Sequence, residues 1–243
     1  MKTISKKVRQ QLIAVLLFAI TAVPASAQLQ QSPAPPQVGP ENGSLVIVGG
    51  AMRSPEIFQR FIQLAGGPGA HIVMIPTAGG AEEYDKYYQG LNAWRENGAH
   101  NLTVLHTTDP AVADSDEFVA PLKTADAVFF FGGRQWRLVD AYGGTQTERE
   151  IRAVLDRGGV IGGSSAGASI QGSYLVRGDT RTSEIMMGDH EEGFGYLRNV
   201  GIDQHVLAGV DIAERDRHMP GGGKAKMSGR RGFEIEPIRH RDQ

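Results

Sequence analysis

The sequence predicts an α/β fold: a mostly parallel sheet flanked by helices on both faces, with an atypical C-terminal end. Two observations carry this expectation. Short apolar runs rich in Val, Ile and Phe alternate with longer stretches whose apolar residues recur at helical spacing, the pattern of successive strand–helix–strand units. Several of the apolar runs end in glycine pairs, at Gly49-Gly50, Gly132-Gly133 and Gly162-Gly163, and ligands of parallel sheets bind beyond the carboxyl ends of the strands.

Residues 44–50, SLVIVGG, form the first expected strand. A helix follows, with Ser54 as N-cap, Pro55 at its first position, Ile57, Phe58, Phe61, Ile62 and Leu64 on one side, and a glycine stop. Residues 71–77 (HIVMIPT) read as the second strand, and residues 82–97 as one helix bearing Tyr84, Tyr88, Leu91 and Trp94 at helical spacing. The third strand is expected at 101–107, a short helical piece at 115–122, and the fourth strand at 126–133, whose unbroken apolar run FFF implies burial on both faces. A helix over 145–156 leads to the fifth strand, GVIGG, which runs into the serine-rich segment GGSSAGAS at 162–169.

Composition narrows the function classes. The chain has 243 residues, with 25 Lys and Arg against 27 Asp and Glu, so net charge gives no reason to expect nucleic acid or a membrane surface as partner. The absence of cysteine excludes disulfides, thiolate nucleophiles and Cys-based zinc sites. No cofactor or metal is expected. Residues 1–27 read as an export signal: Lys2, Lys6, Lys7 and Arg9, an apolar run over 12–23, then Ala25-Ser26-Ala27, which implies a secreted or periplasmic protein. The apolar run is short of the roughly 20 residues a spanning helix needs, so no stable membrane anchor is expected. Residues 28–43 are a Pro/Gln-rich linker, 44–210 the folded domain, and 211–243 a polar, basic segment in which the strand–helix alternation lapses.

A strand that enters a helix through a very tight turn pushes the central side chain into the open and needs small residues two positions to either side. Gly163-Ser164-Ser165-Ala166-Gly167 meets that requirement with Ser165 at the apex, and centring on Ser164 is only slightly worse. A turn that binds phosphate through its backbone amides is the competing reading. A serine nucleophile needs a base, for which His is the usual choice. His71, His100 and His106 lie in or beside expected strands, His190 sits in a polar turn, and His218 and His240 in the polar tail. His205 ends GIDQH, where a short apolar approach delivers polar side chains.

Residues 129–140 (FFFGGRQWRLVD), 158–172 (GGVIGGSSAGASIQG), 191–197 (EEGFGYL) and 201–205 (GIDQH), in this order and at these separations, resemble the cyanophycinase family of serine peptidases. That family is related to the aspartyl dipeptidases and is similar in fold to class I glutamine amidotransferases, a flavodoxin-like three-layer sandwich. The resemblance implies Ser165 as nucleophile, His205 as general base, and the backbone amides of Gly133 and Ala166 as the oxyanion hole. It places Gln135, Asp203 and Gln204 at substrate-contacting positions. An acidic third member is expected between serine and histidine; Glu184 is the choice, with Asp179, Asp189, Glu191 and Glu192 open. The implied substrate is cyanophycin, a poly-aspartate chain bearing arginine on each side-chain carboxyl and released as β-aspartyl-arginine, or another aspartyl peptide. Asp203 would face the guanidinium, and Arg215 or Arg217 the carboxylate. A homodimer is the assembly allowed for, and a non-catalytic binding protein of the same fold is the alternative from another class.

Overall fold

A computed structural model describes residues 37–205. The expected export signal, the first part of the linker, and the segment with Arg215, Arg217, His218 and His240 lie outside the described residues. Five strands build the main sheet: β1 (Ser44–Val48), β2 (His71–Ile75), β3 (Asn101–Val104), β4 (Ala127–Phe130) and β5 (Val160–Ser164). All neighbours are parallel, in the order β1-β5-β4-β2-β3. This order makes β1, β5 and β4 consecutive neighbours. The three glycine-bearing strand ends therefore lie side by side, although more than 110 residues of chain separate the first from the last.

Alternation along the strands sorts side chains into two apolar layers. Val73, Ile75, Val128, Phe130 and Ile161 meet Leu138 and Tyr142 of helix α5 (Trp136–Tyr142) and Ile151, Val154 and Leu155 of helix α6 (Gln146–Asp156). On the other face Ile72, Met74, Phe129 and Val160 meet Phe58, Phe61 and Ile62 of helix α1 (Pro55–Leu64) and Trp94 of helix α2 (Asn92–Glu96). Trp94 lies edge-on to Phe58, Phe61 and Phe129 at centroid distances of 5.1, 5.1 and 4.6 Å. Burying each such ring stabilises the fold by roughly 1.5–3 kcal/mol, and the result is the expected three-layer arrangement. All four residues of β4 are buried, as its uninterrupted apolar run implies.

Several expectations need correction. The single helix expected over 82–97 is only α2, preceded by a 3-10 turn at Gln89–Leu91. Asp85 accepts a hydrogen bond from the Tyr87 N–H at 2.9 Å, a local turn that competes with helix. Tyr84 and Tyr88 then pack edge-on to each other at 5.0 Å, and each reaches a residue elsewhere: Tyr84 touches His106 and Tyr88 touches Phe131. The aromatic spacing thus reflects tertiary packing rather than a helical face. Ser54 does sit at the N-cap of α1, but its hydroxyl turns to Glu56 instead of capping a backbone N–H. Short helices α3 (Pro110–Ala113) and α4 (Asp116–Val119) follow β3, each capped from its N-cap side chain, Asp109 and Ser115.

Beyond β5 a single helical turn, α7 (Ala166–Ser169), leads to a small second sheet of two parallel strands, β6 (Gly172–Tyr174) and β7 (Leu197–Gly201). β7 delivers the chain to His205.

Candidate active site

Ser165 occupies the sharp junction between β5 and α7, with φ 57° and ψ −116°. For a non-glycine residue this backbone conformation is strained and persists only where surrounding contacts enforce it. The enforcing contacts are visible. The Ser165 N–H donates to Val48 O of β1 at 2.9 Å. A Cβ on Gly163 would collide with the Gly167 carbonyl, and one on Gly167 with the Phe130 carbonyl, so both flanking positions must be glycine for the turn to close. The structure thus separates the two serines that spacing left close: Ser165 stands at the apex, and Ser164 ends β5 in a half-buried position.

His205 meets Ser165 at this apex, its Nε2 lying 2.8 Å from Ser165 Oγ. Three features hold the imidazole there. The His205 N–H donates to Gly49 O at 3.1 Å. Ser169 of α7 donates its hydroxyl to Ile202 O at 2.8 Å, tying the incoming loop to the helix that starts at the nucleophile. Gly50 has no side chain, and a Cβ there would overlap the ring. Two backbone N–H groups belong to residues flanking this junction, Ala166 directly after the serine and Gly133 just beyond the end of β4. Those of Ala166 and Gly133 donate no hydrogen bond among the described residues. Gly133 adopts φ 143° and packs so closely on Ala78 that a Cβ would strike its carbonyl. The preceding Gly132 would place a Cβ 3.2 Å from Ser165 Cβ, which shows how near the end of β4 comes to the nucleophile.

Gln135 and Gln204 are buried, with 2% and 7% exposure, and turn their polar ends on the protein. Gln135 Nε2 donates to the carbonyls of Val176 at 2.6 Å and Arg177 at 2.9 Å, and its Oε1 accepts from Gln204 Nε2 at 3.4 Å. They clamp the 176–177 segment beside the DQH loop. Asp203 Oδ1 accepts from Arg177 Nε at 2.8 Å and Oδ2 from Arg177 Nη2 at 3.4 Å. The hydrogen bond from Arg177 holds the Asp203 carboxyl below the ordinary carboxylate range, outweighing its partial burial.

The acids expected to complete a triad do not meet His205; no carboxylate bonds its Nδ1 among the described residues. Glu184 is exposed, its backbone N–H bonds Thr182 Oγ1 at 3.1 Å, and its charge acts on Arg177. Asp179 accepts from the backbone of Arg181 and Thr182, and Asp189 from Thr180, while Glu191 and Glu192 are exposed. His190, expected in a solvated turn, instead bridges Asp140 of α5 at 2.7 Å and Asp189 at 3.2 Å. His71 bonds Thr103 and His106 bonds Thr77, both in packing roles. No group of three or more His, Asp or Glu able to hold a metal ion occurs among the described residues.

A hydroxyl on a strained elbow, an imidazole in hydrogen-bonding distance and two open N–H donors are the parts that acyl transfer requires. Comparison with known proteins gives this geometry a lineage. The family model described as "Peptidase family S51" matches residues 45–219. The chain belongs to peptidase family S51. Among curated proteins this S51 member is 31% identical over 170 residues to a cyanophycinase from Geminocystis herdmanii, covering 67% of its own length and 61% of that protein's. It is 31% identical over 172 residues to one from Synechococcus elongatus, covering 67% and 52% of the two chains. The chain thus spans between half and two thirds of the length of these relatives. A crystal structure of a peptidase from an acI-B1 actinobacterium superimposes with TM-score 0.54 at 23% identity over 74% of each chain, which supports the shared fold.

Sequence reasoning passed over three residues of this S51 site. Ser169 read only as part of the serine-rich segment, and Gly50 marked a strand end where ligands bind but not the seat of an imidazole. Arg177, at φ 60°, gave no signal, because neither its backbone strain nor its long-range partner is encoded by neighbouring residue types.

Proposed function

We propose that this chain is a serine-type peptidase that cleaves aspartyl peptide linkages and acts outside the cytoplasm. The observation that carries the reading is the 2.8 Å approach of Ser165 Oγ to His205 Nε2 at the apex of a strained strand-to-helix turn. With the imidazole proton on Nδ1, Nε2 accepts the hydroxyl proton as Oγ attacks the scissile carbonyl. The developing oxyanion takes hydrogen bonds from the N–H groups of Ala166 and Gly133, each worth about 2.7–4 kcal/mol in a preorganised site. His205 then protonates the leaving amine, and water, activated by the same imidazole, releases the acyl group from Ser165.

The cyanophycinases among the relatives make cyanophycin the first substrate to test, alongside β-aspartyl and α-aspartyl peptides. Incubation of the full chain with cyanophycin and this peptide panel should release products, and Ser165→Ala should abolish release. No hydrolysis by folded protein, or undiminished hydrolysis by the variant, overturns the reading. A second reading of the substrate, an acidic peptide without arginine, is favoured by one observation: Asp203, the residue suited to a substrate guanidinium, is already paired with Arg177. Export rests on the N-terminal pattern of charge, apolar run and Ala25-Ser26-Ala27. Recovery of a mature chain beginning at Gln28 from the periplasm or medium tests it.

A further inference from the structure

Arg177 is fixed from four directions. Its N–H donates to Met186 O at 2.9 Å, and its carbonyl accepts from the buried amide of Gln135 at 2.9 Å. Its guanidinium grips both oxygens of Asp203 and also reaches Ser183 O at 3.1 Å through Nη1. Its backbone sits at φ 60°, a conformation unfavourable for a residue with a long side chain. Strain of this kind is retained where surrounding structure enforces it and tends to accumulate at functional positions.

The consequence for recognition follows from donor and acceptor accounting. A substrate guanidinium docks best on a carboxylate with both oxygens open, yet Oδ1 of Asp203 already accepts from Arg177 Nε and from the Gln204 N–H, and Oδ2 accepts from Arg177 Nη2, which leaves a single acceptor site and no two-pronged seat. A second guanidinium would also stand beside the first, with like charges opposed. Arg177, by contrast, has five N–H donors, and the bonds to Asp203 and Ser183 leave two to offer. The side chains of Arg177 and Asp203 are 26% and 35% exposed, so this edge is open to a ligand. Because Asp203 lies two residues before His205, a group bound at Arg177 is held next to the loop that carries the base.

We infer that Arg177 is a specificity-determining residue that selects peptides with an acidic side chain beside the cleaved linkage and rejects those with arginine there. This rests on the peptidase reading of the same site, and it opposes the arginine-bearing product implied by the resemblance to cyanophycinases. Asp203 already pairs with one edge of the Arg177 guanidinium, so a substrate carboxylate would bind the two remaining N–H donors as a second acidic partner.

The test separates binding from turnover. In the Ser165→Ala background, calorimetric titration with β-aspartyl-glutamate, β-aspartyl-leucine and β-aspartyl-arginine should show affinity falling in that order, with the first and last at least about tenfold apart. Arg177→Gln should invert the order, because Asp203 is released to accept a guanidinium. Arg177→Lys, which keeps the charge but loses the two-pronged grip, should keep the order with a smaller gap, and it serves where Arg177→Gln does not fold. Equal or tighter binding of β-aspartyl-arginine by the protein with Arg177 intact, an unchanged ratio in Arg177→Gln, or no binding of any of the three overturns the inference. If the expected order holds while the Ser165 protein hydrolyses none of the three, the peptidase reading fails and the selectivity of Arg177 stands.

Discussion

The imidazole of His205 occupies the space where a side chain on Gly50 would be, with ring Nδ1 2.6 Å from the position of a Cβ there. The glycine that ends the β1 segment is therefore part of the seat of the base. Gly50 also adopts φ 150°, which an alanine tolerates poorly. Gly50→Ala should displace the ring from Ser165 while leaving the sheet intact. A misplacement of about 1 Å can cost 10²-fold in rate, so labelling of Ser165 by a serine-directed phosphonate should slow by about that factor. Labelling at the wild-type rate would show that the ring does not need this space.

The elbow glycines make a stability prediction. Gly163→Ala and Gly167→Ala each drive a methyl into a backbone carbonyl, which no rotamer change relieves. Each should destabilise by about 1–3 kcal/mol or more in urea unfolding. Gly69 has nothing within 4 Å of a built Cβ, and Gly69→Ala should stay within about 0.5 kcal/mol of wild type.

His190 links α5 to the loop before β7, with Asp140 and Asp189 as its acidic neighbours and the Trp136 ring 6.2 Å away. Burial pulls its pKa down, but hydrogen bonds and charge from Asp140 and Asp189 outweigh this and raise it above the ordinary value. A pKa raised in the folded state gives stability that is fully present below the unfolded value, about 6.5, and is lost as pH rises through the folded value. The difference in melting temperature between wild type and His190→Gln should be largest below the unfolded value of about 6.5 and shrink as pH rises above it. A constant difference across that rise would show that the ion pairs contribute nothing.

The two core layers should respond differently to substitution. Phe61 is fully buried among Trp94 and Phe129, and Phe61→Ala should cost about 3–5 kcal/mol through the cavity it leaves. Tyr142 is buried on the other face, where burial pushes its pKa up to about 12 and Thr77 bonds its hydroxyl at 2.6 Å. Tyr142→Phe removes that bond and the long one from the Thr107 N–H at 3.4 Å but leaves Thr77 paired with His106, so about 1–2 kcal/mol is expected by urea unfolding.

The sheet was legible because its strands are short, apolar and punctuated by glycine, features that depend on local sequence alone. The region from Glu82 to Tyr88 was not, since tyrosines at helical spacing look alike whether they line a helix or reach out to His106 and Phe131. The helix Trp136–Tyr142 was hidden within a stretch that read as motif rather than element. At the candidate site, the choice of Ser165 and His205 drew on the family resemblance of the segments around them, whereas the Arg177–Asp203 pair joins residues 26 apart through a strained backbone that no pattern announces. The acidic residues show the same limit: the sequence places six carboxylates between Ser165 and His205, but Thr180, Arg181 and the local backbone engage Asp189 and Asp179, Arg177 engages Asp203, and Glu184, Glu191 and Glu192 are exposed.

β1 contributes no side chain to the proposed chemistry, yet both reacting groups are hung from it. Its Val48 carbonyl holds the Ser165 N–H and the next carbonyl, that of Gly49, holds the His205 N–H. Consecutive residues of a trans chain are fixed at about 3.8 Å between Cα atoms. The spacing of nucleophile and base is thus gauged by a single peptide unit, a length that thermal breathing of the surrounding loops cannot stretch. A disturbance of that unit would move both groups together and leave their separation largely unchanged, whereas breaking one of the two hydrogen bonds would release one group from the gauge.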